Sequence, residues 1–263
     1  MTSEPTPDLS RRFGGLERLY GVEGAARLRA ASVAVIGIGG VGSWTAEALA
    51  RSGVGAITLV DMDHVAESNI NRQLHALDTT VGQAKIEAMA DRIRHINPEC
   101  RLTLVDDFAS PDNWPQLLPV PVDAVVDACD QVRTKVAMAA WARRHKRLFI
   151  SVGAAGGKRL AHAVDILDLS ETTHDPLLAQ LRYRLRREHA APRQGRIGVT
   201  CVFSREAVAP PDASCAVDGD GEGDGSLNCS GYGSSVAVTA TFGMTAAGWI
   251  LDALSRKAQK MTL

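Results

Sequence analysis

Short apolar runs alternate along this chain with longer stretches of helical periodicity. The apolar runs, rich in β-branched residues, predict strands at residues 33–36, 56–60, 101–105, 122–127, 148–152 and 197–204. Apolar positions three and four apart predict helices at residues 41–52, 82–96, 132–145, 175–189 and 234–254. Strands that alternate with helices predict an α/β fold: a doubly wound, Rossmann-like, mostly parallel sheet with a C-terminal extension.

Length and composition suit a compact globular unit. The 263 residues are 45% hydrophobic, which suffices for one large α/β domain or a domain with an appendage. A glycine-rich stretch, G-A-A-G-G, follows the fifth predicted strand and indicates a boundary between residues 1–157 and 158–263. Residues 209–226 are rich in Asp and Gly, and we expect a mobile acidic loop there without the spacing of a calcium site.

Charge and cysteine content narrow the classes of partner and compartment. The net charge of −1 predicts no global basic field, so a nucleic acid would need a local patch. The five cysteines form no C-x-x-C pair, which argues against zinc, and the N-terminus lacks a secretory signal, which favours a cytoplasmic protein. Residues 234–254 are long enough for a membrane span, but their small and hydroxyl residues favour a buried or dimer-interface helix.

A glycine motif follows the first predicted strand. Gly37, Gly39 and Gly42 give the spacing G-x-G-x-x-G where the strand turns into a helix. Such a turn brings the backbone and a helix N-terminus close to a phosphate. Asp61 ends the second strand about twenty residues later, where a carboxylate typically binds a ribose hydroxyl. The sequence therefore predicts a nucleotide site.

Polar residues after the second strand suggest a more highly charged nucleotide than a dinucleotide. A connector without periodicity, residues 61–75, carries Asp63, Asn69, Arg72 and Gln73, and Lys85 follows in the next helix. Arg72 and Lys85 would neutralise a triphosphate, and Asp130, after the fourth strand, would hold magnesium. The alternative role for Asp130 is the N-cap of the helix at 132–145.

The glycine turn also restricts the reaction. Its sequence is G-I-G-G-V-G-S, so no lysine follows as in the P-loop pattern G-x-x-x-x-G-K-[ST]. Transfer of the terminal phosphoryl group in the P-loop manner is therefore disfavoured. Attack at the α-phosphate, which gives an acyl-adenylate, is the leading class of reaction.

Five motifs give the chain a family resemblance. G-I-G-G-V-G-S, L-V-D-M-D, S-N-I-N-R-Q, V-G-Q-A-K and D-A-C-D resemble, in order and spacing, those of the ubiquitin-activating-enzyme-like (ThiF/MoeB-type) adenylating family. The resemblance implies that ATP activates a carboxylate. It places Gly39 and Gly40 by the phosphates, Asp61 on ribose, Asn69, Arg72 and Lys85 on the phosphates, and Asp130 on magnesium.

Further motifs resemble one branch of that family. R-F-G-G-x-x-R-L-Y-G, V-D-D-F, G-V-x-C-V-F-S and V-T-A-T-F-G are similar to those of the branch that dehydrates threonylcarbamoyladenosine in tRNA. This implies adenylation of the threonyl carboxylate beside the anticodon, then ring closure by the carbamoyl group with loss of AMP. It also implies a homodimer whose C-terminal half, residues 158–263, serves substrate binding and dimerisation.

The chain departs from the wider family at two places. Relatives with F-x-R near the N-terminus donate an arginine to the partner subunit's ATP, whereas Gly15 stands at that place here. We assign the role of that arginine to Arg12 instead. Relatives that activate sulfur-carrier proteins often hold zinc on paired C-x-x-C motifs, and the lack of these pairs favours the tRNA enzyme.

Three residues of the C-terminal half are weaker candidates for substrate contact. Arg182 and Arg186 belong to the arginine-rich helix at 175–189, which either binds tRNA phosphates or is simply solvated. Cys229 lies in a glycine-rich segment, where it either contacts substrate or sulfur or is a small buried residue. A sulfur-relay protein is therefore a further candidate partner.

Two other functions fit parts of this pattern. An activator of the C-terminal glycine of a ubiquitin-like sulfur carrier would share every residue of the ATP site. An NAD-dependent oxidoreductase or nucleotide-sensing module would share the glycine turn, but Arg72, Lys85 and Asp130 argue against it.

Overall fold

The computed structural model describes residues 7–210 and 232–256. The strands are β1 (Ser32–Ile36), β2 (Ala56–Val60), β3 (Arg101–Val105), β4 (Ala124–Asp127), β5 (Leu148–Val152), β6 (Val164–Asp168) and β7 (Thr200–Ser204). The helices are α1 (Leu9–Ala30), α2 (Gly42–Arg51), α3 (Lys85–Ile96), α4 (Val132–His145), α5 (Pro176–Glu188) and α6 (Val236–Ser255). The predicted acidic loop lies outside the described residues from position 211 onward.

Within the described chain the strands form one sheet in the order β3-β2-β1-β4-β5-β7-β6. All neighbouring strands are parallel except β6, which runs antiparallel to β7. The predicted doubly wound, mostly parallel sheet is confirmed. Chain order reverses between β1 and β4, and ligands of such sheets bind at the carboxyl ends of the strands at this point.

Side chains of β1 supply both faces of the sheet because their directions alternate. Val33 and Val35 pack with α2, α3 and α6 on one face. Ala34 and Ile36 pack with α4 and α5 on the other. The strand is apolar throughout because both of its faces are covered.

A buried ion pair joins the centre of the sheet to α4. Lys135 Nζ lies 3.0 Å from Asp127 Oδ2, and neither side chain is exposed. The lysine also donates to the Val152 carbonyl at 2.7 Å, and Ser151 Oγ donates to the same Asp127 oxygen at 2.6 Å. Burial alone would lower the pKa of Lys135, but Asp127, together with the neighbouring Cys129 and Cys201, offsets this effect and raises the pKa. The ends of β4 and β5 are thereby held together beneath the cavity described below.

The structure differs from the predicted elements at the edge of the sheet. β6 was not predicted, because four of its five residues are only half-buried and give no continuous apolar run. β7 begins at Thr200, not at residue 197, because Gly198 has a φ of 81°. The Asp168 carboxylate accepts from the N–H groups of Ile197 and Gly198, each at 2.8 Å, and so replaces strand pairing there.

One side of the helix α6 is buried in the protein. It is long and apolar enough to cross a membrane, yet it packs against α1 and α2. Val238, Phe242, Ala246 and Ile250 are fully buried along it. This burial, worth about 1.5–3 kcal/mol for each large apolar side chain, accounts for the apolar composition of the helix.

The crossing of α6 over α2 depends on Gly243. A Cβ at this position would lie 2.5 Å from the Val41 carbonyl oxygen and 2.8 Å from Trp44 Cβ.

Gly243→Ala is therefore expected to lower the free energy of unfolding by about 1–3 kcal/mol in urea titrations. Gly248→Ala is the matched control on the same helix, because a Cβ there meets nothing within 4 Å. In Gly248→Ala the free energy of unfolding should stay unchanged or rise by up to about 1 kcal/mol. Equal losses in both variants would contradict the close contact between α6 and α2 at Gly243.

Candidate active site

A cavity of about 560 Å³ opens at the carboxyl ends of the central strands. It gathers residues that are far apart in sequence but that follow neighbouring strands. The predicted site residues that line it are Gly37, Gly39, Gly40, Asp61, Asp63, Asn69, Arg72, Gln73, Lys85 and Asp130.

The glycine turn allows the backbone of β1 to pass close to its neighbours. Gly37 has a φ of 87°, and a Cβ on it would lie 3.0 Å from the Ala128 carbonyl oxygen. A Cβ on Gly42 would overlap the Gly37 carbonyl oxygen. Both positions therefore require glycine: a side chain at position 37 would push the turn away from the loop after β4, and one at position 42 would collide with the backbone of the turn itself.

Asp61 ties the end of β2 to the glycine turn. Its carboxylate accepts from the Ile38 N–H at 2.6 Å and from the Asp63 N–H at 2.9 Å. Burial raises the pKa of Asp61, while Lys85 and the two backbone donors act in the opposite direction. A carboxylate has about four acceptor sites, so these two bonds leave capacity for a ligand hydroxyl.

The polar connector after β2 is a folded segment. Asn69 ends a 3-10 turn, Glu67–Asn69, and its Oδ1 accepts from the Ala66 N–H at 3.0 Å. The Arg72 guanidinium donates to the Ser68 carbonyl at 2.6 Å, and the Arg72 carbonyl accepts from Trp44 Nε1 at 3.1 Å. Burial lowers the pKa of Arg72, which still remains a cation at neutral pH.

A second cation comes from the first residue of α3. Lys85 Nζ lies 2.6 Å from Asp63 Oδ2 at the cavity wall. The lysine side chain is 8% exposed and the aspartate 52% exposed, so the cation is much the more buried of the two. Arg72 and Lys85 thus both lie in the wall of the cavity that contains the glycine turn, and their contact with phosphates stays a prediction.

Gln73 carries a polar atom that has no hydrogen bond within the described chain. Its side chain is buried and lines the cavity, and its Oε1 has no partner there. Its Nε2 would lie 3.9 Å from a Cβ on Gly39, so the amide faces the glycine turn. An unpaired buried oxygen costs about 1–3 kcal/mol, which a ligand donor would relieve.

Asp130 lies in the loop that follows β4, where it lines the cavity. The helix α4 begins at Val132 with Gln131 in the N-cap position, so the alternative prediction that Asp130 is this N-cap is wrong. Two hydrogen bonds hold this loop at the end of β4: the Asp127 carboxylate accepts one from the Cys129 N–H at 3.3 Å and one from Cys129 Sγ at 3.0 Å. Burial raises the pKa of the Cys129 thiol well above its usual value, so it stays protonated.

Other predicted residues lie away from this cavity. Arg12 donates to the carbonyls of His95 and Ile96, at 3.2 and 2.9 Å, at the end of α3. Arg182 donates to the carbonyls of Leu169 and Thr172, each at 2.9 Å, and Arg186 donates to that of Pro192 at 3.1 Å. All three arginines therefore bind backbone carbonyls of this chain. The predicted contact of Arg12 with the partner subunit's ATP and those of Arg182 and Arg186 with tRNA stay predictions. Cys229 lies outside the described residues.

Sequence reasoning missed one wall of the cavity. The loop after β5, residues 153–156, lines it, as do Asp107 and Phe108 after β3 and Thr239 of α6. The position of these loops in the sequence could have identified them, because residues directly after a parallel strand lie at the same sheet edge as the glycine turn. Residues 153–156 of the G-A-A-G-G stretch are therefore part of the site, and the boundary predicted there stays a prediction.

Fold and cavity together define a Rossmann-like α/β protein with a polar site at the switch point of its sheet. The chain belongs to the ThiF family, whose profile matches residues 10–262. The predicted family resemblance is thereby confirmed.

Relatives of known name cover nearly the whole chain. The tRNA threonylcarbamoyladenosine dehydratase of Escherichia coli (strain K12) is 48% identical over 256 residues, which are 95% of this chain and 96% of that protein. The enzyme of the same name from Haemophilus influenzae is 42% identical over 94% of both chains. The crystal structure of the E. coli dehydratase, TcdA, in complex with ATP matches with a TM-score of 0.84 and 45% identity, covering 95% of this chain and 97% of that one.

His75 lies buried just behind the cavity. Its side chain is 2% exposed, and neither ring nitrogen has a hydrogen-bond partner in the part of the chain that the structure describes. Burial lowers the pKa of His75 to about 4, with smaller contributions from Lys85 and Arg92. The imidazole is therefore neutral at physiological pH.

This burial predicts a pH dependence of stability. Folded His75 stays neutral down to a pH of about 4, whereas the unfolded chain protonates it below about 6.5. Acidification through this window favours the unfolded state by up to about 1.4 kcal/mol per pH unit. Urea titrations between these pH values should show His75→Leu losing less stability than the wild type. His162→Leu, an exposed control, should follow the wild type, and an unchanged slope in His75→Leu would refute the assignment.

Proposed function

We propose that this chain uses ATP to dehydrate threonylcarbamoyladenosine beside the anticodon of tRNA. The observation that carries the proposal is the arrangement of Arg72, Lys85 and Asp130 around a glycine turn without a P-loop lysine. Similarity over nearly the full length to dehydratases of two bacteria supports the same activity.

The ATP site follows from the order of the strand ends. The glycine turn, with Gly37, Gly39, Gly40 and Gly42, takes the phosphates, and Asp61 takes the ribose through its remaining acceptor capacity. Arg72 and Lys85 neutralise the phosphates and stabilise the charge that develops as pyrophosphate leaves. Asn69 shapes the turn that presents Arg72, and Gln73 offers its unpaired Oε1 to the nucleotide.

The reaction consists of two displacements. The threonyl carboxylate attacks the α-phosphorus of ATP, and the bond to pyrophosphate breaks. The carbamoyl group then attacks the activated carbonyl carbon, closes a ring and expels AMP, while one proton is released. The net result is the removal of one water at the expense of ATP.

Asp130 would hold magnesium in this scheme. No group of three or more His, Cys, Asp or Glu side chains in residues 7–210 and 232–256 could hold a metal by itself. Magnesium usually binds one or two carboxylates together with substrate phosphates and water, so a single carboxylate in a nucleotide cavity fits this ion. When bound, the ion neutralises phosphate charge.

We further propose that the chain acts as a cytoplasmic homodimer, with residues 158–263 contributing to substrate binding and dimerisation. Arg12 would then serve the partner subunit's ATP. A sulfur-relay protein is a further candidate partner.

Asp130→Ala should abolish turnover while the protein stays folded. The assay is mass spectrometry of nucleosides from threonylcarbamoyl-modified tRNA after incubation with protein, ATP and magnesium. The wild type is expected to convert the modified adenosine to a product lighter by one water. Asp252→Ala is the matched control, because Asp252 is 53% exposed on α6 and, among the described residues, pairs with Arg256 one turn further along the chain. Wild-type turnover in Asp130→Ala would remove its assigned role.

The same assay separates the main alternative, activation of a ubiquitin-like sulfur carrier. Unchanged tRNA together with pyrophosphate formation that depends on a carrier protein ending in glycine would favour the carrier-activating enzyme.

A further inference from the structure

The loop of residues 153–156 forms the wall of the cavity on the side away from Asp61. It follows β5, whereas Asp61 follows β2, and β1 and β4 lie between these strands. With ribose at β2 and phosphates at β1, the reacting carboxylate must approach from the side of β4 and β5. The loop therefore faces the substrate half of the cavity and not the adenosine half.

A buried carboxylate holds this loop from behind. Asp175 Oδ2 accepts from the Ala154 N–H at 2.9 Å, and Asp175 Oδ1 accepts from the Leu178 N–H at 2.9 Å in the first turn of α5. One side chain thus joins the loop after β5 to the start of α5, whose Pro176 and Leu177 also line the cavity.

The fit between the loop and this carboxylate is tight. A Cβ on Gly153 would overlap Asp175 Oδ2. The loop can therefore approach Asp175 only because a glycine stands at its first position. The close approach accompanies the hydrogen bond from Ala154 to the same oxygen, so a larger residue at position 153 would displace the loop or the carboxylate.

Lys158 completes the arrangement as a buried cation. Its Nζ lies 3.5 Å from Asp175 Oδ2, and both side chains are 1% exposed or less. The ammonium also lies 5.8 Å from the centre of the Phe242 ring of α6. Burial lowers the pKa of Lys158, while Asp175 opposes the shift. Neither charged side chain lines the cavity, so neither is placed to touch a substrate.

Stability alone is a poor explanation for such a pair. Removing two charges from water costs several kcal/mol for each ion, and apolar residues of similar volume often stabilise a core as well or better. A fixed hydrogen-bonding geometry is what the charged pair supplies and an apolar pair would not.

We propose that Asp175 and Lys158 are positioning residues that fix the loop of residues 153–156 as the wall against which the threonyl carboxylate and carbamoyl group are aligned. This inference rests on the proposed function, because it assigns the substrate half of the same cavity. A displaced wall leaves ATP binding intact and slows the chemistry, since a misplacement of about 1 Å can cost about a hundredfold in rate.

The test compares Asp175→Asn with the double variant Asp175→Asn/Lys158→Met. In both variants kcat for dehydration should fall between about tenfold and about a hundredfold, with the Kd for ATP within about twofold of the wild type. The double variant removes both buried charges and so guards against a failure of the single variant to fold. Asp168→Asn is the matched control: Asp168 is another buried carboxylate that accepts backbone hydrogen bonds, yet it does not line or brace the cavity.

The outcomes distinguish the inference from the proposed function. If the wild type dehydrates the modified tRNA and the folded double variant retains wild-type kcat, the inference is wrong and the function stands. An equal fall in kcat for Asp168→Asn, or a parallel loss of ATP binding, would also overturn it. If the wild type does not dehydrate the modified tRNA, the proposed function fails and the inference fails with it.

Discussion

The close approach of the β1 turn to the loop after β4 is the constraint on which the site depends. Gly37 adopts a positive φ against the Ala128 carbonyl, and Gly42 leaves room for the Gly37 carbonyl itself. Because the turn is that compact, the Ile38 N–H reaches Asp61, and the residues that lead into α2 line the cavity. The positions of the Asp61 carboxylate, the backbone of the glycine turn and the Asp130 loop are therefore coupled through one stretch of backbone.

Two buried ion pairs support this edge of the sheet. Lys135 and Asp127 hold the ends of β4 and β5 and fix the loop that carries Asp130. Lys158 and Asp175 hold the loop that follows β5. In each case a charged side chain outside the cavity determines where the cavity wall stands. The cations that face the cavity, Arg72 and Lys85, come from a separate segment on the opposite side of the glycine turn.

Much of the fold could be predicted because its central strands are buried on both faces and bounded by glycine. β2, β3, β5 and α4 have the predicted bounds, whereas β6 escaped prediction because an antiparallel edge strand lacks a continuous apolar run. The cavity positions of the glycine turn, Asp61 and Asp130 were predictable because these residues directly follow the ends of the neighbouring strands β1, β2 and β4. The contacts of Arg182 and Arg186 could not be predicted. These long side chains donate to backbone carbonyls of Leu169, Thr172 and Pro192, which are brought within reach only when the chain folds.

The central claim is that the threonyl carboxylate is activated by adenylation in this cavity. The most direct test places a heavy oxygen isotope in that carboxylate of the modified tRNA and follows the label by mass spectrometry. The account predicts that one labelled oxygen appears in AMP, because the carboxylate oxygen that attacked the α-phosphorus leaves with it when the ring closes. Unlabelled AMP beside a dehydrated product, or ADP in place of AMP, would contradict the account.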